Sequence, residues 1–322
     1  MEVQASLRHR TLPRRGASVG SVLQDGATYV VLGGTGHIGS AVAESLVQAG
    51  RHVRVVTRSG SKATAWAARG AEPAVADVQD SAAMARVLSS PPAARVFALN
   101  PPGAITADPD ADEDRTADAI VEALAAAQVD RVVALSTYGA RPGRRIGDLG
   151  TLHRFEALVR DLPAPVAIVR AGYLYSNWDG AVEPARTRGQ VPVMLDPDRP
   201  LPMVAPADVG DAAARLLMLD EAEQGVSYVE GPRRYTPRDV ARALASELGT
   251  PVDTVRTPPD QWRNTFLEAG FSVAAADSFT GLTTLAEREV WELDVAPTRG
   301  STALQAYISA HVSRSATRAR DN

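Results

Sequence analysis

The amino-acid sequence predicts an α/β fold: a doubly wound parallel sheet with a smaller C-terminal α+β lobe. Short runs typical of buried strands alternate with segments of helical periodicity up to about residue 180. A glycine-rich segment joins the first strand to the first helix, and proline becomes frequent after about residue 189. We therefore expect parallel strands joined by right-handed crossovers.

The first half of the chain supplies six strands in order, with helices between them. The helices carry apolar residues three and four positions apart, as at Ile38, Val42 and Leu46. In such a sheet the carboxyl ends of the strands form the usual binding crevice. The strands are expected at residues 29–32, 53–57, 73–75, 96–99, 131–135 and 166–169.

The second half begins with an excursion at residues 189–206, which we expect to resemble a hairpin. A helix is expected at 207–219, and a strand and turn at 228–231. Thr236, followed by Pro237 and Asp239, is expected to cap a further helix. The chain then divides into a disordered basic extension, a sheet domain, a smaller lobe and a disordered tail, at residues 1–26, 27–179, 180–312 and 313–322.

Composition excludes several classes of function. Of the 34 basic residues only Lys62 is a lysine, and because it follows Ser61 there is no Walker A loop. The absence of cysteine excludes disulfides and thiolate sites, and the five scattered histidines lack the spacing of metal ligands, so no metal is expected. The net charge of -4 argues against nucleic-acid or anionic-membrane partners, and no apolar run is long enough for a membrane span.

The segment between the first strand and the first helix has the pattern of a phosphate-binding loop. Gly33, Gly36 and Gly39 give G-x-x-G-x-x-G, and Gly34 with the last two also gives G-x-G-x-x-G. Glycines permit the tight turn and the close approach of a pyrophosphate, and the helix N-terminus supplies free N–H groups. The context predicts a dinucleotide-binding Rossmann domain at 27–179, with contacts from Gly33, Thr35, Gly36, His37, Ile38 and Gly39.

The end of the second strand indicates which dinucleotide binds. NAD usually requires an acidic residue there, whereas this chain has Arg58, which lies 19 positions after Gly39. A guanidinium at this place favours a 2′-phosphate, and Lys62 could assist it. We therefore predict NADP(H), the alternative being that Arg58 is a solvated surface side chain.

At this point the chain resembles the NmrA-like group of atypical short-chain dehydrogenases/reductases, from about Thr28 to Val312. Beyond the glycine loop and Arg58, the resemblance rests on five further segments: 76–78 (Ala-Asp-Val), 100–102 (Asn-Pro-Pro), 136–139 (Ser-Thr-Tyr-Gly), 170–173 (Arg-Ala-Gly-Tyr) with Asn177 and Trp178, and His153 with Glu156. It implies a Rossmann domain that binds NADP(H) and, often, reduction of a small organic substrate. The group also includes non-catalytic redox sensors.

The resemblance also implies roles for particular residues. Asp77 would contact the adenine, although it could equally cap a helix. Asn100 and Pro101 would lie along the ribose and nicotinamide, and Arg170 would pair with an acid. Ser136 leaves a strand end in the crevice, although it could instead bond only to backbone. The other residues expected in the cofactor site or substrate pocket are Tyr173, Tyr175, Asn177 and Trp178.

The Tyr-x-x-x-Lys pair of the wider superfamily is absent, because Lys62 would require a tyrosine at position 58, which is Arg58. Two other residues are candidate proton donors. Tyr138 leaves the fifth strand. Relatives often place a lysine or histidine four residues before the acid, which here is Leu152; His153 stands three residues before Glu156 instead, but both spacings lie on one helical face. An unperturbed histidine pKa of about 6.5 suits proton transfer, but His153 could equally be a surface or ribose contact.

The sequence thus predicts an NADP(H)-dependent oxidoreductase that transfers hydride to or from a small carbonyl, imine, quinone or enone. The alternatives are a redox sensor that acts through a protein partner, and a nucleotide-binding scaffold without redox response. A homodimer is compatible with each of these functions. Because targeting signals are missing, we expect a cytoplasmic location.

Overall fold

The computed structural model describes residues 26–89, 94–220, 222–289, 293 and 295–320. Apart from Gly26, the predicted basic extension lies outside the described residues. Within them, eight strands form one parallel sheet in the order β12-β10-β6-β5-β4-β1-β2-β3. These strands are β1 (Thr28–Val31), β2 (His52–Thr57), β3 (Glu72–Val75), β4 (Ala94–Ala98), β5 (Arg131–Thr137), β6 (Val166–Ala171), β10 (Gly225–Glu230) and β12 (Thr298–Arg299).

Helices cover both faces of this sheet, which confirms the doubly wound Rossmann-like fold. One face carries α1 (His37–Gln48), α2 (Gly60–Ala67) and α7 (Pro206–Met218), and the other carries α3 (Ser81–Leu88), α4 (Pro109–Ala127) and α5 (Asp148–Arg160). The α1 and α7 helices approach so closely that a Cβ on Gly210 would lie 2.5 Å from the Cβ of Ala41. Glycine is required at this crossing because any side chain would separate the helices.

The smaller lobe has its own apolar core, built around Trp178, Met203 and Leu244. Thr236 caps α8 as the sequence predicts: its hydroxyl accepts from the N–H of Asp239, whose carboxylate accepts from the N–H of Thr236. The lobe consists of β7 (Tyr173–Leu174), a 3-10 helix (Tyr175–Ala181), α6 (Val182–Arg188), β8 (Gln190–Val193), β9 (Met203–Val204), α8 (Pro237–Leu248), β11 (Asp253–Arg256), a second 3-10 helix (Pro259–Gln261), α9 (Trp262–Glu268), α10 (Val273–Arg288) and α11 (Leu304–Arg320).

The structure differs from the sequence-based predictions in three places. The excursion at 189–206 is not a hairpin, because β8 pairs with β11 and β9 pairs with β7, both in parallel. The lobe is not continuous from residue 180, because α7, β10 and β12 return to the main sheet. The final helix continues to Arg320 where a loose tail was expected, since extending an existing helix adds one hydrogen bond per residue.

No helix in the described part of the chain combines the length and apolar character needed to cross a membrane.

Candidate active site

The glycine loop folds into a tight turn directly before α1. Gly33 has a positive φ of 65°, and the N–H of Gly36 donates to its carbonyl oxygen over 2.9 Å. A Cβ on Gly39 would lie 2.2 Å from the same oxygen, so this position excludes every larger residue. No side chain caps the N-terminus of α1, and the exposed Gly36 and His37 leave its N–H groups open to a ligand.

The end of β2 places a cationic group beside this loop. Arg58 and Lys62 are exposed, and neither side chain has an acidic partner among the described residues. Ser59 caps α2 by accepting from the N–H of Lys62, and Trp66 joins α2 to the loop by donating from its indole N–H to the carbonyl of Gly34 over 3.0 Å. Two exposed cations, neither paired with an acid in the described part of the chain, therefore lie four positions apart where β2 leads into α2.

The remaining predicted cofactor contacts lie at the carboxyl ends of the strands. Asp77 is exposed, and its carboxylate accepts from the N–H of Gln79, so it forms a local turn and does not cap a helix; Asp80 caps α3. The Asn100 amide donates to the carbonyl of Glu113, but its own buried Oδ1 has no hydrogen-bond partner among the residues that the structure describes. Pro101, which follows it, is partly exposed.

These features fit a phosphorylated dinucleotide. The glycine loop has no room for a Cβ at Gly33 or Gly39. The open N-terminus of α1 suits a pyrophosphate, and the guanidinium of Arg58 suits a 2′-phosphate. The unpartnered Oδ1 of Asn100 is a buried acceptor that a ribose hydroxyl could satisfy.

A cleft of about 710 Å³ opens between the sheet and the smaller lobe. Its walls come from the loop after β4, the starts of α4 and α5, the segment after β6, the 3-10 helix and α6, the end of β8, and α9 and α10. Most of its surface is apolar, a composition typical of sites for small organic ligands. The lining residues are Pro102, Pro109, Asp110, Glu113, Gly147, Asp148, Tyr173, Asn177, Trp178, Gly180, Ala181, Pro184, Pro192, Val193, Met194, Leu195, Phe266, Phe279, Leu282, Thr283 and Ala286.

Three carboxyl groups enter this cleft in different surroundings. Asp110 accepts from the hydroxyl of Ser278 and the backbone N–H of Arg145. Burial raises the pKa of Glu113 to about 7, against the lowering effect of hydrogen bonds from Thr151 and Gly103. Burial likewise raises the pKa of Asp148 to about 6.

Of the predicted pocket residues, Tyr173, Asn177 and Trp178 do line the cleft. Burial raises the pKa of Tyr173 to about 12, although a hydrogen bond from Asn177 opposes the shift. The buried indole N–H of Trp178 has no acceptor among the described residues. Tyr175 was predicted here too but lies in the core of the smaller lobe, where its hydroxyl donates to the carbonyl of Thr302 over 3.2 Å.

Neither predicted proton donor lies in the cleft lining that the structure describes. The buried Tyr138 donates from its hydroxyl to Glu230 over 3.0 Å, and burial together with the charge of Glu230 raises its pKa far above the usual value. His153 is half-buried on α5, one and a half turns beyond the cleft residue Asp148. These positions argue against proton donation by either residue.

Arg170 pairs with an acid, as the family resemblance implied, and that acid is Glu156. Two guanidinium nitrogens of Arg170 donate to the fully buried carboxylate over 2.7 and 2.8 Å, and Ser136 donates to it over 2.5 Å. Burial alone would raise the pKa of Glu156, but these hydrogen bonds outweigh it and lower the pKa. Ser136 is therefore engaged with a carboxylate and not with backbone alone.

Asp208 connects two distant segments of the chain. It lies in the first turn of α7, whose cap residue is Ala205, and its carboxylate accepts from the N–H groups of Ser301 and Thr302. It thus holds the loop that leads into α11.

Asp148 and Glu113 escaped sequence-based detection. An acid at the start of a helix is explained by the helix dipole, and one within α4 by a solvated face, so neither carries a local signal. The distant Phe279 and Leu282 of α10 enclose this part of the cleft.

The model of the NmrA-like family matches residues 26–310. An NAD(P)H azoreductase of Xenophilus azovorans is 25% identical over 257 residues, which cover 80% of this chain and 86% of that protein. A nitrogen metabolite regulation-like protein of Gibberella fujikuroi is 29% identical over 250 residues, covering 68% and 72% of the two chains.

Among solved structures, the NADPH-dependent quinone oxidoreductase of Escherichia coli complexed with NADPH superposes with a TM-score of 0.71. The two proteins share 20% sequence identity, and the match covers 88% of this chain and 99% of the other. This similarity supports the fold described above.

Proposed function

The chain belongs to the NmrA-like family, and from this premise we propose that it is an NADPH-dependent oxidoreductase that reduces a small, largely apolar organic molecule in the cleft. One observation carries the proposal: the glycine loop, the cations at the end of β2 and the cleft all lie at the carboxyl ends of the parallel strands. A nicotinamide dinucleotide bound there supplies hydride. The relatives named NAD(P)H azoreductase and NADPH-dependent quinone oxidoreductase support the same chemistry.

Three groups of residues would hold the cofactor. The backbone of the glycine loop and the N-terminus of α1 bind the pyrophosphate, and Arg58 with Lys62 binds the 2′-phosphate. Asn100 accepts a hydrogen bond from the ribose with its unpartnered Oδ1. Asp77, at the end of β3, stands at the edge where the adenine enters.

The cleft favours a flat conjugated substrate with at least one hydrogen-bond acceptor. Tyr173, Trp178 and Phe279 supply aromatic surface, and the unpartnered indole N–H of Trp178 supplies a donor. A quinone or carbonyl oxygen, or an azo nitrogen, would satisfy that donor and so gain specificity over a purely apolar molecule.

A turnover assay tests this function. The protein is incubated with NADPH and a panel of quinones, aromatic azo compounds, aldehydes, imines and enones, and the reduced nicotinamide band is followed. We expect oxidation of NADPH that depends on both the protein and at least one acceptor. The absence of turnover with every acceptor would contradict the proposal.

A redox sensor is the second candidate, and the similarity to a nitrogen metabolite regulation-like protein favours it. A sensor would bind NADP+ and NADPH with clearly different affinities and would not turn over. Isothermal titration with each dinucleotide, run beside the assay, distinguishes the two functions.

A further inference from the structure

We propose that Asp148 is the proton donor to the reduced substrate, an inference that rests on the proposed function and extends it. Asp148 is the first residue of α5 and lines the cleft together with Pro102 and Tyr173. Pro102 follows the segment expected to run along the nicotinamide. The carboxyl group therefore faces the space in which hydride transfer would occur.

The surroundings of Asp148 combine access with enclosure. Asp148 is exposed at the wall of the cleft, and desolvation by the protein around it raises its pKa to about 6. Among the described residues no side chain bonds or pairs with this carboxylate; only backbone N–H groups oppose the shift. A carboxyl group in an apolar cleft with a pKa near 6 is suited to general acid catalysis.

The other acidic groups in the cleft are less suited to this role. Asp110 is engaged by Ser278 and Arg145, and Glu113 is engaged on both oxygens by Gly103 and Thr151. The pKa of Tyr173, at about 12, makes it an acid about 10⁶ times weaker than Asp148.

Two titratable groups of the described residues feel the charge of Asp148, and they come from two elements. Glu113 on α4 and Tyr173 on β7 both interact with its charge. The cleft residues of α10 are Phe279, Leu282, Thr283 and Ala286, none of which titrates. A charge on Asp148 therefore adds to the rise of the Glu113 pKa, although burial is the main cause of that rise.

Reduction of a carbonyl or quinone acceptor requires one hydride and one proton. Hydride adds to the electrophilic carbon, and the π electrons of the C=O bond move to oxygen. That oxygen forms its new O–H bond with the proton of Asp148, whose own O–H bond breaks and leaves a carboxylate. The substrate is reduced by two electrons, the reduced nicotinamide dinucleotide is oxidised, and solvent reprotonates the carboxylate.

The substitution Asp148→Asn tests the proposal, with Asp118→Asn as a control on the exposed side of α4. For a carbonyl or quinone acceptor we expect Asp148→Asn to lower kcat/KM by about 10²–10⁴-fold and to remove the decline of the wild-type rate above about pH 6. The Kd for NADPH should not change. An iminium cation needs hydride alone, so its reduction should fall less than about 10-fold.

A second measurement does not depend on activity. Carboxyl carbon NMR titration of the dinucleotide-free protein should contain an Asp signal with a midpoint near pH 6, absent from Asp148→Asn and present in Asp118→Asn. If Asp148→Asn keeps full activity and the decline of its rate above about pH 6, the role of Asp148 is overturned and the proposed function stands. A defect that consists only of a higher KM for cationic acceptors would have the same two consequences. Failure of the wild type to reduce any acceptor would overturn both.

Discussion

The backbone N–H of Gly147 donates to the hydroxyl of Ser278 over 2.9 Å, and this bond joins the start of α5 to α10 across the wall of the cleft. The same hydroxyl donates to Asp110 on α4 over 2.5 Å. Ser278 is completely buried, so one side chain links three helices around the cleft. Because Gly147 immediately precedes Asp148, the link also fixes the place of the proposed proton donor.

The substitution Ser278→Ala removes this link. The N–H of Gly147 and one oxygen of Asp110 lose a buried partner, so we expect the free energy of unfolding to fall by about 1–3 kcal/mol. Urea unfolding measures the change. Ser89→Ala is the matched control, since its hydroxyl donates to the carbonyl of Ala85 at an exposed position, and it should stay within about 0.5 kcal/mol. Equal effects of the two substitutions would contradict the proposed link.

Glu113 makes stability depend on pH in a direction opposite to that of most carboxyl groups. Its folded-state pKa of about 7 lies above the unfolded value of about 4.3, so the folded state holds the proton more tightly. The stabilising contribution is present below about pH 4.3 and is lost as the pH rises through 7. We expect Glu113→Gln to raise the free energy of unfolding at pH 8 by up to about 3 kcal/mol and to change it little at pH 4.

Chemical unfolding from pH 4 to pH 8 measures this effect. Glu122→Gln on the same helix is a suitable control, because Glu122 lies outside the buried face of α4. A Glu113→Gln curve parallel to the wild type across the whole range would show that Glu113 does not titrate within it.

Features that depend on residues close together in the chain can be predicted from the sequence, whereas features that depend on distant partners cannot. The turn at Gly33, the cap at Thr236 and the place of Arg58 depend on residues close in the chain, and spacing alone predicts them. Tyr138 was predicted as a proton donor because it leaves a strand in the crevice, but Glu230, which takes its hydroxyl, lies 92 residues away. A partner so distant leaves no periodic or local signal.

The acids of the cleft follow the same rule. The contact between Asp110 and Ser278 spans 168 positions, and α10, which encloses the cleft, was not predicted from the sequence. The α10 helix forms one wall of the cleft that Asp148 lines, so part of the environment of this acid comes from a segment more than 120 positions away. The family pattern also gave the pairing of Arg170 with an acid, and the structure supplies that acid as Glu156.

Two arginines contact Glu156, and they should differ greatly in importance. Arg170 is mostly buried and makes two bonds to the buried carboxylate, whereas Arg160 makes one bond from a side chain that is 44% exposed. Arg170→Met leaves a buried charge without its main partner, so we expect a loss of about 3–5 kcal/mol of stability. Arg160→Met should cost at most about 1 kcal/mol. Thermal and urea unfolding measure both variants, and similar losses for the two would contradict this ranking.

Arg58 should determine the preference between the two nicotinamide dinucleotides. It is exposed at the end of β2 and has no acidic partner in the described part of the chain, so its guanidinium is free to bind a 2′-phosphate. Removal of one charge-assisted contact costs about 1.5–3 kcal/mol, so Arg58→Ala should raise the Kd for NADPH by about 10–100-fold and leave that for NADH nearly unchanged. Arg69→Ala is the control. Arg69 is an exposed arginine that follows α2 and pairs with Glu44, so its removal should leave the Kd values for NADPH and NADH unchanged. Fluorescence titration measures the Kd of each variant, and of the wild type, for NADPH and for NADH. An unchanged Kd for NADPH in Arg58→Ala would show that the 2′-phosphate binds elsewhere.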